Sequence, residues 1–327
     1  MTCQHTLNQT WSIVLAGGEG ESLRPSTERK IGYPLPKPYC TFVGTRSMLQ
    51  HTWDRADRLT ASRQKVTVAA RDHWQQVWSQ LGRHVDGRVL LQPQNCDTGA
   101  GIFLPLTYVR SWNRDATVVI FPSDHFVYPE SLFLEMVRRA MRATEILQDR
   151  IILLGSHPTR LELDYGWLEM GLTLGWSSGS CVRQVKAFLE KPDVIQGLAA
   201  MANGALWNTS VMTVKVETLW CLGWQCLPEL MERFEKLDAA IGTSREGLIL
   251  EAIYQDMPCR NFSSDLLQCV PESVGVMELQ DVLWSDWGKP ERIAATLQLL
   301  GKESAVPLKH FNEPHCSQSH EHAMEVS

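Results

Sequence analysis

Residues 11–20 of the chain are Trp11-Ser12-Ile13-Val14-Leu15-Ala16-Gly17-Gly18-Glu19-Gly20, an apolar run that ends in a glycine-rich loop. An apolar run of this length before turn residues is typical of a buried β-strand. Because glycine has no Cβ, a ligand can approach the loop closely, and free loop amides suit phosphate oxygens. The stretch predicts a nucleotide site. The alternative is a strand-to-helix turn that binds nothing.

Two common phosphate-binding loops do not fit this segment. A P-loop places a lysine directly after its last glycine, and none stands there. The dinucleotide fingerprint needs a third glycine three residues after Gly20, where the chain has Leu23. A different kind of nucleotide loop is therefore expected, followed by a lysine at Lys37-Pro38.

Composition limits the classes of protein to consider. The chain has 327 residues, 44% of them hydrophobic and 21% charged, which is ordinary for a globular α/β protein. Its net charge of -6 gives no indication of a nucleic-acid-binding surface. The nine cysteines form no Cys-x-x-Cys pattern, which favours reduced thiols. With no apolar stretch near the roughly 20 residues that span a bilayer, we expect a cytoplasmic protein that binds neither nucleic acid nor membrane.

Buried strands alternate with amphipathic helices along the chain. Such alternation is typical of a parallel sheet covered on both faces. We therefore predict an α/β fold with a mostly parallel, Rossmann-like twisted sheet and helices on both faces. Strands are predicted at 66–70, 88–92, 116–121, 151–155, 181–189 and 210–214, and helices after Pro129, at 217–238, at 244–255 and after Pro290.

Polar residues stand where two of these strands end. Asp124 follows the strand 116–121, and ligands of open α/β sheets bind at the carboxyl ends of strands. A carboxylate there could hold Mg²⁺ against substrate phosphates, or cap a helix. Glu190 and Lys191 precede Pro192 at the end of the strand 181–189, and alone they would make an ordinary solvated turn.

Taken in order, these segments resemble the sugar nucleotidyltransferase family, and within it the mannose-1-phosphate guanylyltransferases. The glycine loop is similar to the family's Leu-Ala-Gly-Gly-x-Gly-Thr-Arg-Leu-x-Pro. Further similar segments follow in the family order from about residue 11 to about 300: Gln92-Pro93-Gln94-Asn95, Pro122-Ser123-Asp124-His125, Tyr165-Gly166, Phe188-Leu189-Glu190-Lys191-Pro192, Trp207-Asn208 and Trp284-Ser285-Asp286-Trp287-Gly288.

The resemblance implies a role for each matching residue. The catalytic residues would be Lys37, Asp124 and Arg24. The nucleotide would bind Leu15, Ala16, Gly17, Gly18, Glu19, Gly20, Gln92, Thr98 and Gly99, although a helix start at Asp97 or Thr98 explains the last two equally well. The sugar phosphate would bind Gly166, Glu190, Lys191 and Asn208, and Mg²⁺ would bind the carboxylates of Asp124 and Asp286.

The implied reaction joins a nucleoside triphosphate, with GTP preferred, to a sugar-1-phosphate, with mannose-1-phosphate preferred. It releases pyrophosphate and yields a nucleotide sugar such as GDP-mannose for polysaccharide biosynthesis. Glu21 and Ser22 stand where the family has Thr-Arg, and that arginine binds the departing pyrophosphate. Arg24, Arg29 or Lys30 could replace it. Three interpretations stay open: this enzyme, an enzyme for another base or sugar, and a weakened homologue that binds a nucleotide sugar and regulates a partner.

The domain organisation follows from the resemblance and from the polarity of the two ends. Residues 1–10 are predicted to be a flexible N-terminus and 302–327 a disordered tail, since both are polar. Residues 11–301 would form one nucleotidyltransferase domain that binds the nucleotide with its first half and the sugar phosphate with its second. A homo-oligomer is compatible with the sequence.

Overall fold

The computed structural model describes residues 9–18, 35–82 and 86–302. The strands are β1 (Thr10–Ala16), β2 (Lys65–Ala70), β3 (Arg88–Gln92), β4 (Thr117–Pro122), β5 (Phe126–Tyr128), β6 (Ile151–Ser156), β7 (Gly166–Ser177), β8 (Ser180–Glu190), β9 (Leu206–Lys215), β10 (Val274–Glu278) and β11 (Leu283–Ser285). The α-helices are α1 (Met48–Asp57), α2 (Trp74–Leu81), α3 (Asp97–Trp112), α4 (Glu130–Ile146), α5 (Val194–Ala202), α6 (Val216–Cys226), α7 (Pro228–Asp238), α8 (Glu246–Tyr254) and α9 (Pro290–Leu299).

Nine strands form one sheet in the order β3-β2-β1-β4-β9-β6-β10-β8-β7. The pairs β2–β3, β1–β2, β1–β4 and β6–β10 are parallel. Strands β8 and β9 run antiparallel to every neighbour, while the other strands share one direction. The predicted α/β fold with a mostly parallel sheet is confirmed.

Successive side chains of a strand point to opposite faces of the sheet. Both faces of this sheet are buried, because helices cover each of them. Val118 and Ile120 of β4 belong to one apolar cluster, which helices α3, α6, α7 and α8 cover. Val119 and Phe121 belong to a second cluster, which α4 and α5 cover. Alternating burial on two faces explains why these strands are continuous apolar runs in the sequence.

A separate two-stranded ribbon brings distant parts of the chain to the same edge of the sheet. Strand β11 pairs antiparallel with β5, and Ser285 lies opposite Phe126. The residue after Ser285 is Asp286, and the residues before Phe126 are Asp124 and His125. The ribbon thereby places two segments, separated by more than half of the folded chain, beside each other.

Two elements of the structure differ from the prediction. The helix predicted at 217–238 is two helices, α6 and α7, because Leu227 leaves the helical conformation and Pro228 starts the next helix. The similar segment Tyr165-Gly166 leads into the long strand β7, for which no strand was predicted, and β7 returns as β8 through a tight turn with positive φ at Ser178 and Gly179. Within the described helices, none is both long enough and apolar enough to cross a membrane.

Candidate active site

Two adjoining cavities lie at the edge of the sheet where β1 and β4 end. The first has a volume of about 520 Å³ and is lined by Leu15, Gly17, Gly18, Val68, Gln92, Asn95, Asp97, Thr98, Gly101 and Cys259. The second, of about 330 Å³, is lined by Leu15, Gly18, Pro38, Thr98, Ile102, Pro122, Asp124, His125, Glu190, Asn208, Ser210, Met212, Asn261, Phe262, Ser263 and Leu267. Because Leu15, Gly18 and Thr98 line both, the two cavities are halves of one cleft.

The start of the glycine loop forms the wall between the two halves. The carbonyl of Leu15 accepts hydrogen bonds from the amide and hydroxyl of Ser123, at 3.0 and 2.7 Å. The carbonyl of Ala16 accepts one from the Tyr39 hydroxyl at 3.2 Å. These bonds hold the end of β1 against β4. Of the residues predicted in this loop, Glu19, Gly20 and Arg24 lie outside the described residues, and so does Ser22.

Gln92 lies at the inner end of the first cavity and is 5% exposed. A Cβ added at Gly17 would meet its side-chain oxygen at 3.6 Å, an ordinary van der Waals contact, so Gly17 and Gln92 are neighbours. Its side-chain nitrogen, Nε2, is buried, makes no hydrogen bond of ordinary geometry within the described ranges and interacts with the Tyr254 hydroxyl. An amide held this loosely can turn its donor to a ligand in the cavity.

Gly99 has a structural role that the sequence did not indicate. It lies in the first turn of α3, and its amide donates to the carbonyl of Arg260 at 2.8 Å. Thr98 Oγ1 accepts from the amide of Phe262, also at 2.8 Å. A Cβ at Gly99 would stand 2.6 Å from the Arg260 carbonyl oxygen, so no side chain fits there. The described contacts of Gly99 are with this loop, which completes the cleft.

We expect Gly99→Ala to lower the melting temperature by about 3–6 °C, because the added methyl group forces the backbone of Arg260 away. Gly101→Ala is the matched control two residues along the helix, since its Cβ would meet only Gln92 Oε1, at 3.9 Å. Alanine favours a helix over glycine by about 1 kcal/mol, so this variant should be at least as stable as wild type. Calorimetry of both variants checks the prediction, and equal melting temperatures would contradict it.

Lys37 lies behind the lining of the cleft and reaches it through the lining residue Asp124. It opens a short 3-10 helix, Lys37–Tyr39, and its side chain is only 5% exposed. Its ammonium donates to Asp124 Oδ2 at 2.9 Å and also to the main-chain carbonyl of Asp286. Three segments that the sequence analysis linked only through a resemblance, at Lys37, Asp124 and Asp286, therefore meet at one nitrogen atom.

The surroundings of Asp124 favour its charged form. Burial by itself raises the pKa of this carboxyl, but the Lys37 ammonium and the neighbouring His125 outweigh that effect, and the pKa is lowered. Burial also lowers the pKa of His125, so this imidazole is neutral at neutral pH. Its Nε2 lies 3.6 Å from Asp124 Oδ1, and its ring packs edge-on against Trp284. The cleft thus holds an ionised carboxylate beside an ammonium group.

Of the four residues predicted to bind the sugar phosphate, Glu190 of β8 and Asn208 of β9 line the second cavity. Gly166 lies opposite Glu190 in the β7–β8 pair, and a Cβ there would stand 3.1 Å from Glu190 Oε2. The glycine therefore leaves space for this carboxylate. Asn208 is buried and lines the cavity, and its Oδ1 accepts from the amide of Ser210 at 3.0 Å. Lys191 is exposed, in a left-handed conformation with φ 45°, and lies outside the cavity lining.

Glu190→Gln should make the protein more stable at neutral pH, by about 1–3 °C in melting temperature. Burial, and to a lesser extent Asp97, raises the pKa of the Glu190 carboxyl above its usual 4.5. When the pKa of an acid is higher in the folded than in the unfolded protein, the folded protein loses stability as the pH rises through the pKa of the unfolded state. The whole loss of stability is present above the pKa of the folded state. The gain should therefore be full at pH 7 and vanish below about pH 4.

Thermal unfolding between pH 4 and 8 tests this. Glu232, an exposed glutamate on α7, gives the control Glu232→Gln, which should not change the melting temperature at any pH in the range. The opposite result would be a melting-temperature difference, Glu190→Gln minus wild type, that is lower at pH 7 than at pH 4. It would show that neighbouring groups stabilise the charged form of Glu190.

Several contacts of the site carry no sequence signal. The carboxylate of Asp286 accepts hydrogen bonds from the Tyr165 hydroxyl at 2.6 Å and from Arg292 Nη1 at 2.8 Å. Arg292 also pairs with Glu162. The segment 261–263 lines the second cavity without a recognisable motif. An arginine at the start of a helix and an asparagine in a loop are ordinary residues, so only their positions in the fold reveal them.

Comparison with known proteins identifies the family. The family model described as nucleotidyl transferase matches residues 11–301. The "Xanthan biosynthesis protein XanB" of Xanthomonas campestris pv. campestris is 29% identical over 202 residues, 61% of this chain and 40% of that protein. A "Mannose-1-phosphate guanylyltransferase" of Escherichia coli is 26% identical over 211 residues, 63% of this chain and 44% of that protein. The chain thus matches less than half of the length of these two relatives.

Solved structures share the fold. The structure titled "mannose-1-phosphate geranyltransferase" from Thermus thermophilus superposes with a TM-score of 0.72 at 25% identity, covering 86% of this chain and 76% of that one. One from Helicobacter pylori, titled "mannose-6-phosphate isomerase", superposes with a TM-score of 0.67 at 15% identity over 85% of this chain and 99% of that one, which shows the fold alone. Since the family model extends over all the segments that form the cleft, this chain belongs to the nucleotidyl transferase family.

Proposed function

We propose that this protein transfers a guanylyl group from GTP to mannose-1-phosphate. The observation that carries the proposal is the position of the Lys37–Asp124 ion pair, whose carboxylate lines a cleft with two halves. One half is lined by the glycine loop and Gln92, and the other by Glu190 and Asn208. Relatives whose names state mannose-1-phosphate guanylyltransferase activity supply the choice of base and sugar.

In the proposed reaction an oxygen of the sugar phosphate attacks the α-phosphorus of GTP. A new phosphorus–oxygen bond forms, the bond to the β-phosphate oxygen breaks, and pyrophosphate leaves. Phosphoryl transfer of this kind needs alignment of the reactants and neutralisation of charge more than covalent help from the protein. Lys37 supplies a buried positive charge for the phosphates, and Gly17 and Gly18 line the same cleft.

Each half of the cleft has groups suited to its substrate. The Gln92 side-chain amide, which lines the first cavity, can donate to an acceptor on a base, such as the O6 of guanine. Glu190 and Asn208 offer an acceptor and a donor for sugar hydroxyls. Lys191, exposed next to Glu190, is proposed to reach the sugar phosphate from outside the cavity. The mannose would thereby lie between β8 and β9, with its phosphate toward Lys37.

The donor set suits a magnesium ion. Mg²⁺ is held in such sites by one or two carboxylates, and substrate phosphates and waters fill the other positions. Asp124 is ionised, lines the cavity and is 31% exposed at its side chain, so it can offer oxygen to a cation. We propose that Asp124 holds Mg²⁺, which when bound would neutralise phosphate charge. No group of three or more His, Cys, Asp or Glu side chains converges within the described ranges, so the phosphates would complete the coordination.

Pyrophosphate release by the purified protein tests the proposal. The assay uses Mg²⁺ with GTP, ATP, CTP, UTP or dTTP, each with mannose-1-phosphate or glucose-1-phosphate. Release confined to GTP with mannose-1-phosphate is the expected result. Release with another pair would keep the reaction class and replace the substrates.

A second function is favoured by the residue at position 22, a serine where the family has its pyrophosphate-binding arginine. A homologue without this arginine could bind GDP-mannose and regulate a partner without turnover. Tight binding of GDP-mannose, with no pyrophosphate released in any mixture, would support this alternative. Ser22→Arg would then be the decisive variant, since restored turnover would assign the loss of activity to that position.

A further inference from the structure

The carboxylate of Asp286 is held by three donor groups of the protein. Its Oδ1 accepts from the Tyr165 hydroxyl at 2.6 Å, from the Gly288 amide at 3.0 Å and from Arg292 Nη1 at 3.1 Å. Its Oδ2 lies 2.8 Å from the same Arg292 nitrogen. A carboxylate has about four acceptor positions, two on each oxygen. Oδ1 is therefore saturated, and the position that stays open on Oδ2 lies beside a guanidinium group.

Arg292 is held where it is by a further set of contacts. Its side chain is 4% exposed and lies 4.4 Å above the ring of Tyr165. Its Nε donates to Glu162 Oε1 at 3.2 Å, and its Nη2 donates to Glu162 and Asp164. We call Glu162, Tyr165, Asp286 and Arg292 the Arg292 cluster. Asp286 lines neither cavity, whereas Asp124 lines the second one, so a divalent cation in the cleft would meet the Asp124 carboxylate.

The cluster is connected to Lys37 through the backbone. The main-chain carbonyl of Asp286, not its carboxylate, accepts from the Lys37 ammonium. The amides of Gly288 and Trp287 donate to the side chains of Asp286 and Ser285, which defines the turn that presents this carbonyl. A side chain that anchors the turn thereby sets where the ammonium group lies relative to Asp124.

We infer that Asp286 and Arg292 are positioning residues that orient Lys37, and that the divalent ion of the reaction is held by Asp124 without the Asp286 carboxylate. This inference rests on the proposed function for its reaction. It replaces the second metal carboxylate that the sequence resemblance implied with a carboxylate bound to arginine. The metal would then have one protein carboxylate and depend on the substrate phosphates for most of its ligands.

Direct Mn²⁺ binding separates the two roles of the carboxylates. Free Mn²⁺ is measured by electron paramagnetic resonance during titration of the protein, in the presence of GTP without sugar phosphate. We expect Asp124→Asn to weaken Mn²⁺ binding at least 10-fold and Asp286→Asn to change it less than 2-fold. An equal loss in the two variants would overturn the inference, because Asp286 would then be a ligand.

Kinetics test the positioning role. Asp286→Asn keeps an oxygen that can accept from Tyr165 and Gly288, whereas Asp286→Ala does not. We therefore expect kcat to fall at least 10-fold further in the alanine variant, with KM for GTP changed less than 3-fold and Mn²⁺ binding equal in both. Identical kcat values for the two variants, with wild-type melting temperatures, would contradict the positioning role.

The arginine is tested with its charge partner. Arg292→Met alone takes the buried guanidinium from Glu162 and Asp286, with only Arg160 left on Glu162, and could unfold the protein, so Glu162→Gln/Arg292→Met is made beside it. A folded double variant with lowered kcat and unchanged Mn²⁺ binding is expected. Mn²⁺ could instead bind the double variant more tightly than wild type, and this gain could disappear when Asp286→Asn is added. Asp286 would then be a metal ligand in the protein without Arg292. The role of Arg292 would be to keep the metal away from Asp286, and the positioning role would be overturned.

The two proposals fail in different ways. Failure of the wild-type protein to release pyrophosphate would overturn the proposed function. The Mn²⁺ titration needs no turnover, so it would still decide the role of Asp286.

Discussion

Lys37→Met should lower kcat/KM by about 1,000-fold under the proposed reaction. The change removes a buried ammonium group that contacts Asp124 and the Asp286 carbonyl at once. Removing one preorganised donor from a site that stabilises developing charge typically lowers the rate 100- to 1,000-fold, about 3–4 kcal/mol. Here the loss should reach the upper end, because the Asp124 carboxylate would also lose its cation and repel the phosphates. Steady-state pyrophosphate release measures the effect.

A second buried lysine provides the control. Lys65 is 1% exposed, pairs with Asp57 and lies 3.7 Å above the ring of Trp53, whereas Lys37 pairs with Asp124, which lines the second cavity. Lys65→Met should therefore lower the melting temperature and leave kcat/KM within about 2-fold of wild type. If the Lys37 variant kept more than a tenth of the wild-type rate, Lys37 would not act on the phosphates.

Asp124→Asn is expected to lower kcat about 1,000-fold at any Mg²⁺ concentration. The neutral amide keeps the size of the side chain but removes the charge that would hold the cation, and metal neutralisation of phosphate charge contributes several kcal/mol to such reactions. Titrating Mg²⁺ from micromolar to 50 millimolar (roughly the range over which carboxylate sites fill) tests whether more metal restores the rate. If kcat recovered fully at high Mg²⁺, Asp124 would contribute only to the affinity for the metal and not to the rate of the metal-bound enzyme.

The same variant has a pH signature. Because the pKa of Asp124 is lowered from 3.8, its charged form stabilises the folded protein at a pH above 3.8, and this stabilisation is lost as the pH falls through the lower folded value. Asp124→Asn should thus be less stable than wild type at pH 7 and approach it in strongly acidic solution. Asp57→Asn, which removes the partner of Lys65 outside the cleft, is the control and should keep full activity.

Much of the site could be predicted because its residues belong to local patterns. An apolar run reports its own burial, and a parallel sheet brings the carboxyl ends of its strands to one edge, so the residues after β1, β3 and β4 were expected near one another. Gln92, Asp124, Glu190 and Asn208 do line the cleft. Lys191 is exposed and Gly99 contacts Arg260, because a motif gives the order of residues and not the direction in which each one faces.

The sequence by itself determined the class of fold, the strands that end in polar residues and the resemblance that named a reaction, since all of these depend on neighbours along the chain. Only the tertiary structure decided how Asp286 is used. Its partner Tyr165 lies 121 residues away in the sequence and donates to the carboxylate directly, and Glu162 is joined to Asp286 through Arg292. A carboxylate is a metal ligand or the partner of an arginine according to which cation folding places beside it, and no local pattern records that choice.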